Sequence, residues 1–177
     1  MTAASNSTPA TQHSTTRWVV MGVSGCGKST IGTALAATLA VPFLEGDAFH
    51  PESNVTKMSA GIPLDDQDRA GWLRTLAAEI RTAREQGKGL VLSCSALKRR
   101  YRDLLREADP ALQFVHLSGP RGVIAERMQK RTDHYMPPAL LDSQLEILES
   151  LQDDEAGLVL DITLAPAALV NRITGKA

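Results

Sequence analysis

The stretch Gly22-Val23-Ser24-Gly25-Cys26-Gly27-Lys28-Ser29 decides how this chain is read. It satisfies G-x-x-x-x-G-K-[ST] at every fixed position and follows directly on the apolar run Trp18-Val19-Val20-Met21. Such a loop works between a buried strand and a helix, where successive backbone N–H groups face one concavity and the helix N-terminus adds positive potential. Residues 28–40 supply the helix. Ile31, Leu35 and Leu39 recur every four residues, with Ala34, Ala36 and Ala37 between them, which gives an apolar face and high helix propensity. Gly22, Gly25 and Gly27 permit the tight turn, Lys28 reaches the outer phosphates, and Ser29 offers its hydroxyl to a magnesium ion. Ser24, Cys26 and Thr30 complete the expected nucleotide contact. The bland alternative is an ordinary glycine-rich turn, and strand, motif and helix in register argue against it. A nucleoside triphosphate is the predicted ligand.

Outward from this loop, the composition fits one soluble domain. The chain has 177 residues, enough for a substantial core but few for two. A formal net charge of -1 and the lack of a strongly basic block argue against a primary nucleic-acid binder. No apolar run approaches the span of a bilayer, so no membrane partner is expected. Two cysteines, Cys26 and Cys94, make no disulfide framework and point to a reducing compartment. Residues 1–16 are rich in Ser, Thr and Ala and carry no apolar stretch, so they read as a disordered tail and neither a signal nor a transit peptide. Residues 17–177 read as a single domain.

Strand and helix then alternate. Val41 to Asp47 predicts a second strand ending in a carboxylate, and Ala48 to Asp65 a loop with one short helix around Ser53 to Ser59. From Asp65 or Asp66, either a good N-cap, an amphipathic helix runs to about Gln86 with Trp72, Leu73, Leu76 and Ile80 on one side. The continuously apolar Gly89 to Ser95 is a third strand of the kind covered on both faces. A charged helix follows from about Leu97 to Ala108, then a strand over Leu112 to Leu117 and a helix over Arg121 to Lys130. After an irregular stretch, Pro138 opens a helix with apolar positions Leu141, Leu145, Leu148 and Leu151. Leu158 to Ile162 is a fifth strand, and Pro166 to Ile173 a closing helix. The alternation predicts an α/β/α sandwich around a five-stranded parallel sheet.

Phosphoryl transfer needs a metal ligand beyond Ser29, a group to orient the acceptor, and cations over the transferring phosphoryl. In an open parallel sheet these belong at the carboxyl ends of strands beside the phosphate loop. Val91-Leu92-Ser93-Cys94 carries no acid there, so Asp47 is the nearest substitute. It is predicted to serve magnesium, directly or through water, or to accept the acceptor hydroxyl's proton; the residues leave both roles open. Arg127 and Arg131, four apart on one helical face, lead into Thr132 to Pro137. Their planar forks suit phosphate oxygens, and a lid around residues 127–138 is expected to close over the triphosphate. Solvent-facing cations are the alternative for this pair. The adenine is expected near Ala165 and Pro166.

Several further segments carry a family resemblance: Gly46-Asp47-Ala48-Phe49-His50-Pro51, Lys57 to Leu64, Asp66-Gln67-Asp68-Arg69, Cys94-Ser95-Ala96-Leu97-Lys98 and His134 to Gln144. In this order with Gly22 to Ser29, and covering nearly everything from Arg17 to the last helix, the chain resembles the small phosphate-loop gluconokinases. The resemblance implies a fold like that of shikimate and nucleoside monophosphate kinases, with ATP and Mg2+ used to phosphorylate D-gluconate at its 6-hydroxyl. It also implies a cytoplasmic homodimer. One departure is Gly71, where the family commonly has proline near the start of the helix.

A hexonate needs cations for its carboxylate and paired donors and acceptors for its hydroxyls. The candidates are His50, Lys57, Asp66, Arg69, Lys98, Arg102 and His134, together with Asp47. Lys98 and Arg102 lie four apart on one helix, and Lys98 is expected to govern gluconate affinity. For Arg69 and Arg102 a surface salt bridge is the competing reading. Trp18 and Trp72 are expected to be core residues. Two other function classes stay open: another small-molecule kinase of the same architecture, such as a shikimate or nucleotide kinase, and a non-catalytic nucleotide-binding regulator.

Overall fold

The chain is seen as a computed structural model that describes residues 14–131 and 137–176. Five strands, β1 (Arg17–Met21), β2 (Phe43–Glu45), β3 (Leu90–Ser93), β4 (Gln113–Ser118) and β5 (Gly157–Asp161), form one parallel sheet in the order β2-β3-β1-β4-β5. Seven helices intervene: α1 (Lys28–Leu39), α2 (Glu52–Ser59), α3 (Asp66–Glu85), α4 (Arg99–Ala108), α5 (Arg121–Gln129), α6 (Pro138–Ile147) and α7 (Pro166–Thr174). The predicted three-layer α/β architecture is therefore the observed one. Since β1 sits between β3 and β4, the loop leaving β1 emerges where the winding reverses, the place in such sheets where ligands bind.

Alternation along each strand builds two cores. Val20, Val91, Val115 and Leu117 face α1, α5, α6 and α7, whereas Val19, Met21, Leu90, Leu92 and Phe114 face α3 and α4. A strand buried on both faces needs apolar residues at odd and even positions alike, which is why β1, β3 and β4 lack the polar alternation of a half-exposed strand.

Most boundaries fall within a residue or two of those predicted, and the departures have identifiable causes. The second strand stops at Glu45, and Gly46–Phe49 forms a 3-10 turn, so Asp47 does not end a strand. A Cβ on residue 46 would lie 1.9 Å from the Ser93 carbonyl oxygen, so only glycine permits this approach. Helix α3 starts with a capping box in which Asp65 and Asp68 each bind the other's backbone N–H. Gly71 lies a full turn inside α3, not at its start. Helix α6 ends at Ile147, short of Leu151, because the following chain turns back onto α4: the Glu149 N–H donates to the Leu97 carbonyl at 2.7 Å. At the amino end the carbonyl of Thr16 already accepts from the Leu90 N–H at 3.2 Å.

Candidate active site

In the phosphate loop, Gly22, Gly25 and Gly27 all have positive φ, at 142°, 83° and 101°. The left-handed Gly27 is the N-cap of α1, so the loop feeds its amides straight into the helix N-terminus. Met128 of α5 fills the space that a side chain at position 25 would need, which seats α5 against the loop. Lys28 donates to the Val23 carbonyl at 3.0 Å, folded back over its own loop. Cys26 is buried, and Thr30 is exposed on α1.

A carboxylate does reach this loop, and it comes from Glu45. One Glu45 oxygen accepts from the Ser29 hydroxyl and the other from the Ser93 hydroxyl, while Ser93 Oγ accepts from the Gly46 N–H at 3.1 Å. Sequence reasoning missed Glu45 because strand pairing creates the arrangement: in the parallel register Glu45 lies opposite Ser93. The acid absent from β3 is supplied by its neighbour, one residue before the turn that exposes Asp47.

Beside the loop lies an open cleft. Ser24 and Lys28 form its phosphate-loop side, Asp47 and His50 come from the turn after β2, and Arg69 and Trp72 come from α3. Ser95 follows β3, and Leu140, Ser143 and Gln144 come from α6. Trp72 is buried as expected, but it also forms a wall. Its indole N–H donates to the Gly46 carbonyl at 2.8 Å, and its ring stacks on His50 with centroids 4.1 Å apart. The contact with Asn54 sets the His50 tautomer. Asn54 Nδ2, which also donates to the Asp68 carbonyl at 2.9 Å, lies 3.2 Å from His50 Nδ1. Nδ1 therefore accepts and Nε2 carries the proton, 3.9 Å from an Asp47 oxygen. Burial lowers the His50 pKa, Asp47 opposes the shift and Arg69 adds to it, so the neutral donor form prevails at neutral pH.

Arg69 is the cation that α3 brings to this cleft, which Lys28 of the phosphate loop also lines. It is 5% exposed; its Nε donates to the Leu64 carbonyl at 3.3 Å, and its guanidinium lies 5.7 Å from the Tyr101 ring centre. Neither Nη has a protein partner among the described residues, and although burial lowers its pKa, an arginine stays charged.

Other predicted acceptor contacts are spent elsewhere. Arg102 is fully buried, with Nε and Nη2 on Glu155 at 2.7 and 2.8 Å. Its remaining N–H groups donate to the carbonyls of Ala96, Glu149 and Ser150, so all five guanidinium donors are used and none faces the cleft. Lys98 donates to Asp66 at 3.0 Å, and Asp66 also accepts from Arg100 and from the Tyr101 hydroxyl, so these two candidates bind each other outside the cleft. Lys57 is held by both oxygens of Asp68, at 2.7 and 2.9 Å. Arg127 donates to the Ile162 carbonyl at 2.8 Å, towards the β5–α7 loop and Pro166, the first residue of α7. Arg131 is exposed, and His134 lies outside the described residues.

Comparison with known proteins agrees with the fold. The profile of the family described as Shikimate kinase matches residues 24–164. The gluconokinase of Gluconobacter oxydans is 53% identical over 137 residues, covering 77% of each chain. Among solved structures, a gluconokinase from Sinorhizobium meliloti has a TM-score of 0.84 at 45% identity, covering 93% of each chain. A sugar kinase from Janibacter has a TM-score of 0.85 at 49% identity, covering 90% of this chain and 92% of the other. With that identity over most of its length, a matching fold, and the phosphate loop and polar cleft side by side, the chain belongs to the gluconokinase family.

Proposed function

We infer that this protein transfers the terminal phosphoryl group of ATP to the 6-hydroxyl of D-gluconate, giving 6-phosphogluconate and ADP. The observation that carries the reading is the Arg69 guanidinium, a buried cation whose Nη groups have no partner among the described residues, in the same cleft as Lys28. Such a fork accepts a carboxylate in two places, and the polar groups around it suit a chain of hydroxyls. His50 Nε2–H donates to one hydroxyl, and Asp47 accepts from the hydroxyl that attacks, drawing off its proton as the new P–O bond forms. Lys28, swung from Val23, neutralises charge on the transferring phosphoryl, and α1 presents its positive end to the oxygens behind it. Arg127 and Arg131, and a lid around 127–138, belong to the same proposal on sequence grounds.

Ser29, Ser93 and Glu45 form an all-oxygen donor set beside the phosphate loop, which fits a hard cation such as Mg2+. Ser29 and Glu45 would hold it, with Asp47 two residues beyond Glu45; bound there, it would neutralise charge on the triphosphate. A single carboxylate suffices because magnesium in such sites keeps waters and phosphate oxygens as its other ligands. The resemblance also supports a homodimer and a cytoplasmic location; light scattering on the purified chain tests the first.

The match to the shikimate kinase profile keeps another acceptor in view. A coupled ADP-release assay against gluconate, related hexonates, shikimate and nucleoside monophosphates separates the readings. Turnover with gluconate is expected to dominate; preference for shikimate or a nucleotide would overturn the assignment.

A further inference from the structure

The carboxamide of Gln144 is held in one orientation by the phosphate loop, and Gln144 lines the acceptor cleft. Gln144 Oε1 accepts from the Ser24 N–H at 2.7 Å. A backbone N–H can only donate, so this contact identifies the oxygen and leaves the NH2 group on the other side of the carboxamide. That NH2 has no partner among the described residues, and Gln144 lines the cleft together with Lys28, Asp47 and His50. The platform beneath it is firm. Leu140 and Leu141 are 3% and 1% exposed, and Leu141 packs in the same core cluster as Ile124. Outside, Asp142 grips Arg121 at 2.6 and 2.9 Å, tying α6 to the start of α5. Leu140, Ser143 and Gln144 share the face of α6 that meets the cleft, as their spacing of three and four requires.

We propose that Gln144 is an acceptor-binding residue of this kinase: its NH2 donates to a hydroxyl of the sugar acid, and its oxygen, fixed on Ser24, sets where that hydroxyl sits relative to the phosphate loop. The inference rests on the gluconokinase reading and extends it to α6. A donor mounted on the loop that carries the nucleotide holds acceptor and phosphoryl in one frame, which is what orientation demands of a two-substrate transfer. Glutamine suits the task because one end accepts and the other donates; neither a carboxylate nor a hydroxyl of that length supplies both in fixed places.

Two variants separate substrate contact from a purely structural tether. Gln144→Glu still accepts from the Ser24 N–H but cannot donate, and it brings a negative charge towards an anionic acceptor. Gln144→Ala loses both contacts. Steady-state kinetics in each substrate, equilibrium ATP binding without acceptor, and thermal melts are measured on both variants and the wild type. Expected are a rise in gluconate KM of about tenfold or more for Gln144→Glu and about three- to tenfold for Gln144→Ala, with ATP affinity within about twofold of wild type. A gluconate KM within about twofold of wild type for Gln144→Glu, in a protein that melts normally, overturns the proposal, because a tether alone survives that change. A loss confined to ATP affinity overturns it as well. If Gln144→Glu does not fold, the Gln144→Ala kinetics decide by the same criterion. The wild-type control keeps the failures apart: no turnover of gluconate by wild type refutes the functional reading, whereas normal wild-type turnover with unaffected variants refutes the role of Gln144 alone.

Discussion

Arg102 is fully buried, so replacing it has a sharp consequence for stability. The substitution Arg102→Met removes a guanidinium whose five donors serve Glu155 and three backbone carbonyls, all inside the protein. Burial alone would raise the Glu155 pKa, but hydrogen bonds from Arg102, the Gln152 N–H and Arg106 bring it down to about 2. In the variant this carboxylate stays buried, with Arg106 at 2.7 Å and Arg99 at 3.9 Å as its remaining cations among the described residues. Breaking one side of a buried pair costs about 3–5 kcal/mol, because the abandoned charge keeps its desolvation penalty. For a domain of this size each kcal/mol lowers Tm by about 2–4 °C, so a fall of about 6–20 °C is expected. The assay is thermal unfolding followed by circular dichroism, with the gluconate KM measured well below the transition. A structural role leaves that KM within about threefold of wild type, since the side chain is absent from the cleft. A melting temperature within about 2 °C of wild type, together with a tenfold higher gluconate KM, would refute the reasoning and restore Arg102 to the acceptor site.

Three further outcomes follow from other contacts. Arg69→Met is expected to raise the gluconate KM about ten- to a hundredfold by removing a charged hydrogen-bonding fork, while Lys98→Ala, whose partner is Asp66, changes it by about threefold or less; steady-state kinetics that reverse this order would return Lys98 to the acceptor site. His116 is buried with no hydrogen-bond partner on either nitrogen among the described residues, and burial, reinforced by Arg102 and opposed by Glu155, lowers its pKa from 6.5 to about 4. Because the unfolded chain takes up that proton first, His116 weakens the fold by about 2 kcal/mol between pH 7 and pH 5. The Glu155 contribution is lost at lower pH, between 4.5 and about 2. Urea unfolding of His116→Leu at pH 7 and pH 5 is expected to show a smaller acid loss than wild type, and an equal loss would contradict this. Gly71 lies inside α3 with open space where a Cβ would stand, so Gly71→Ala is expected to raise Tm by about 1–4 °C; a lower Tm would show that the position needs glycine.

Features carried by local pattern were legible in the residues. The phosphate loop, the capping of α3 by Asp65, and the alternation of apolar strands with amphipathic helices each depend on neighbours within a few positions. What depended on distant pairing was not. Glu45 meets Ser29 only because β2 lies beside β3 in a particular register, and nothing in Val41 to Asp47 shows where the strand gives way to a turn. Lys98 and Arg102 do not share a helix: Lys98 is the extended N-cap of α4, and the segment around 149–155, about fifty residues later, buries Arg102 while Lys98 reaches Asp66. Trp72 was legible as core and not as a wall of the cleft, because its stacking on His50 depends on the turn after β2. The start of α6 at Pro138 is legible in the sequence, yet the bond from Ser24 to Gln144 spans 120 residues of sequence.

The most direct measurement is the position of the new ester. Wild-type protein is incubated with ATP, Mg2+ and gluconate labelled with 13C at carbon 6, and the products are read by phosphorus and carbon magnetic resonance. The expected spectrum shows ADP and a single phosphate monoester whose phosphorus couples to the labelled carbon. An ester at any other carbon, or ATP left intact while shikimate or a nucleoside monophosphate is phosphorylated under the same conditions, would contradict a cleft built to bring the gluconate 6-hydroxyl to the phosphate loop.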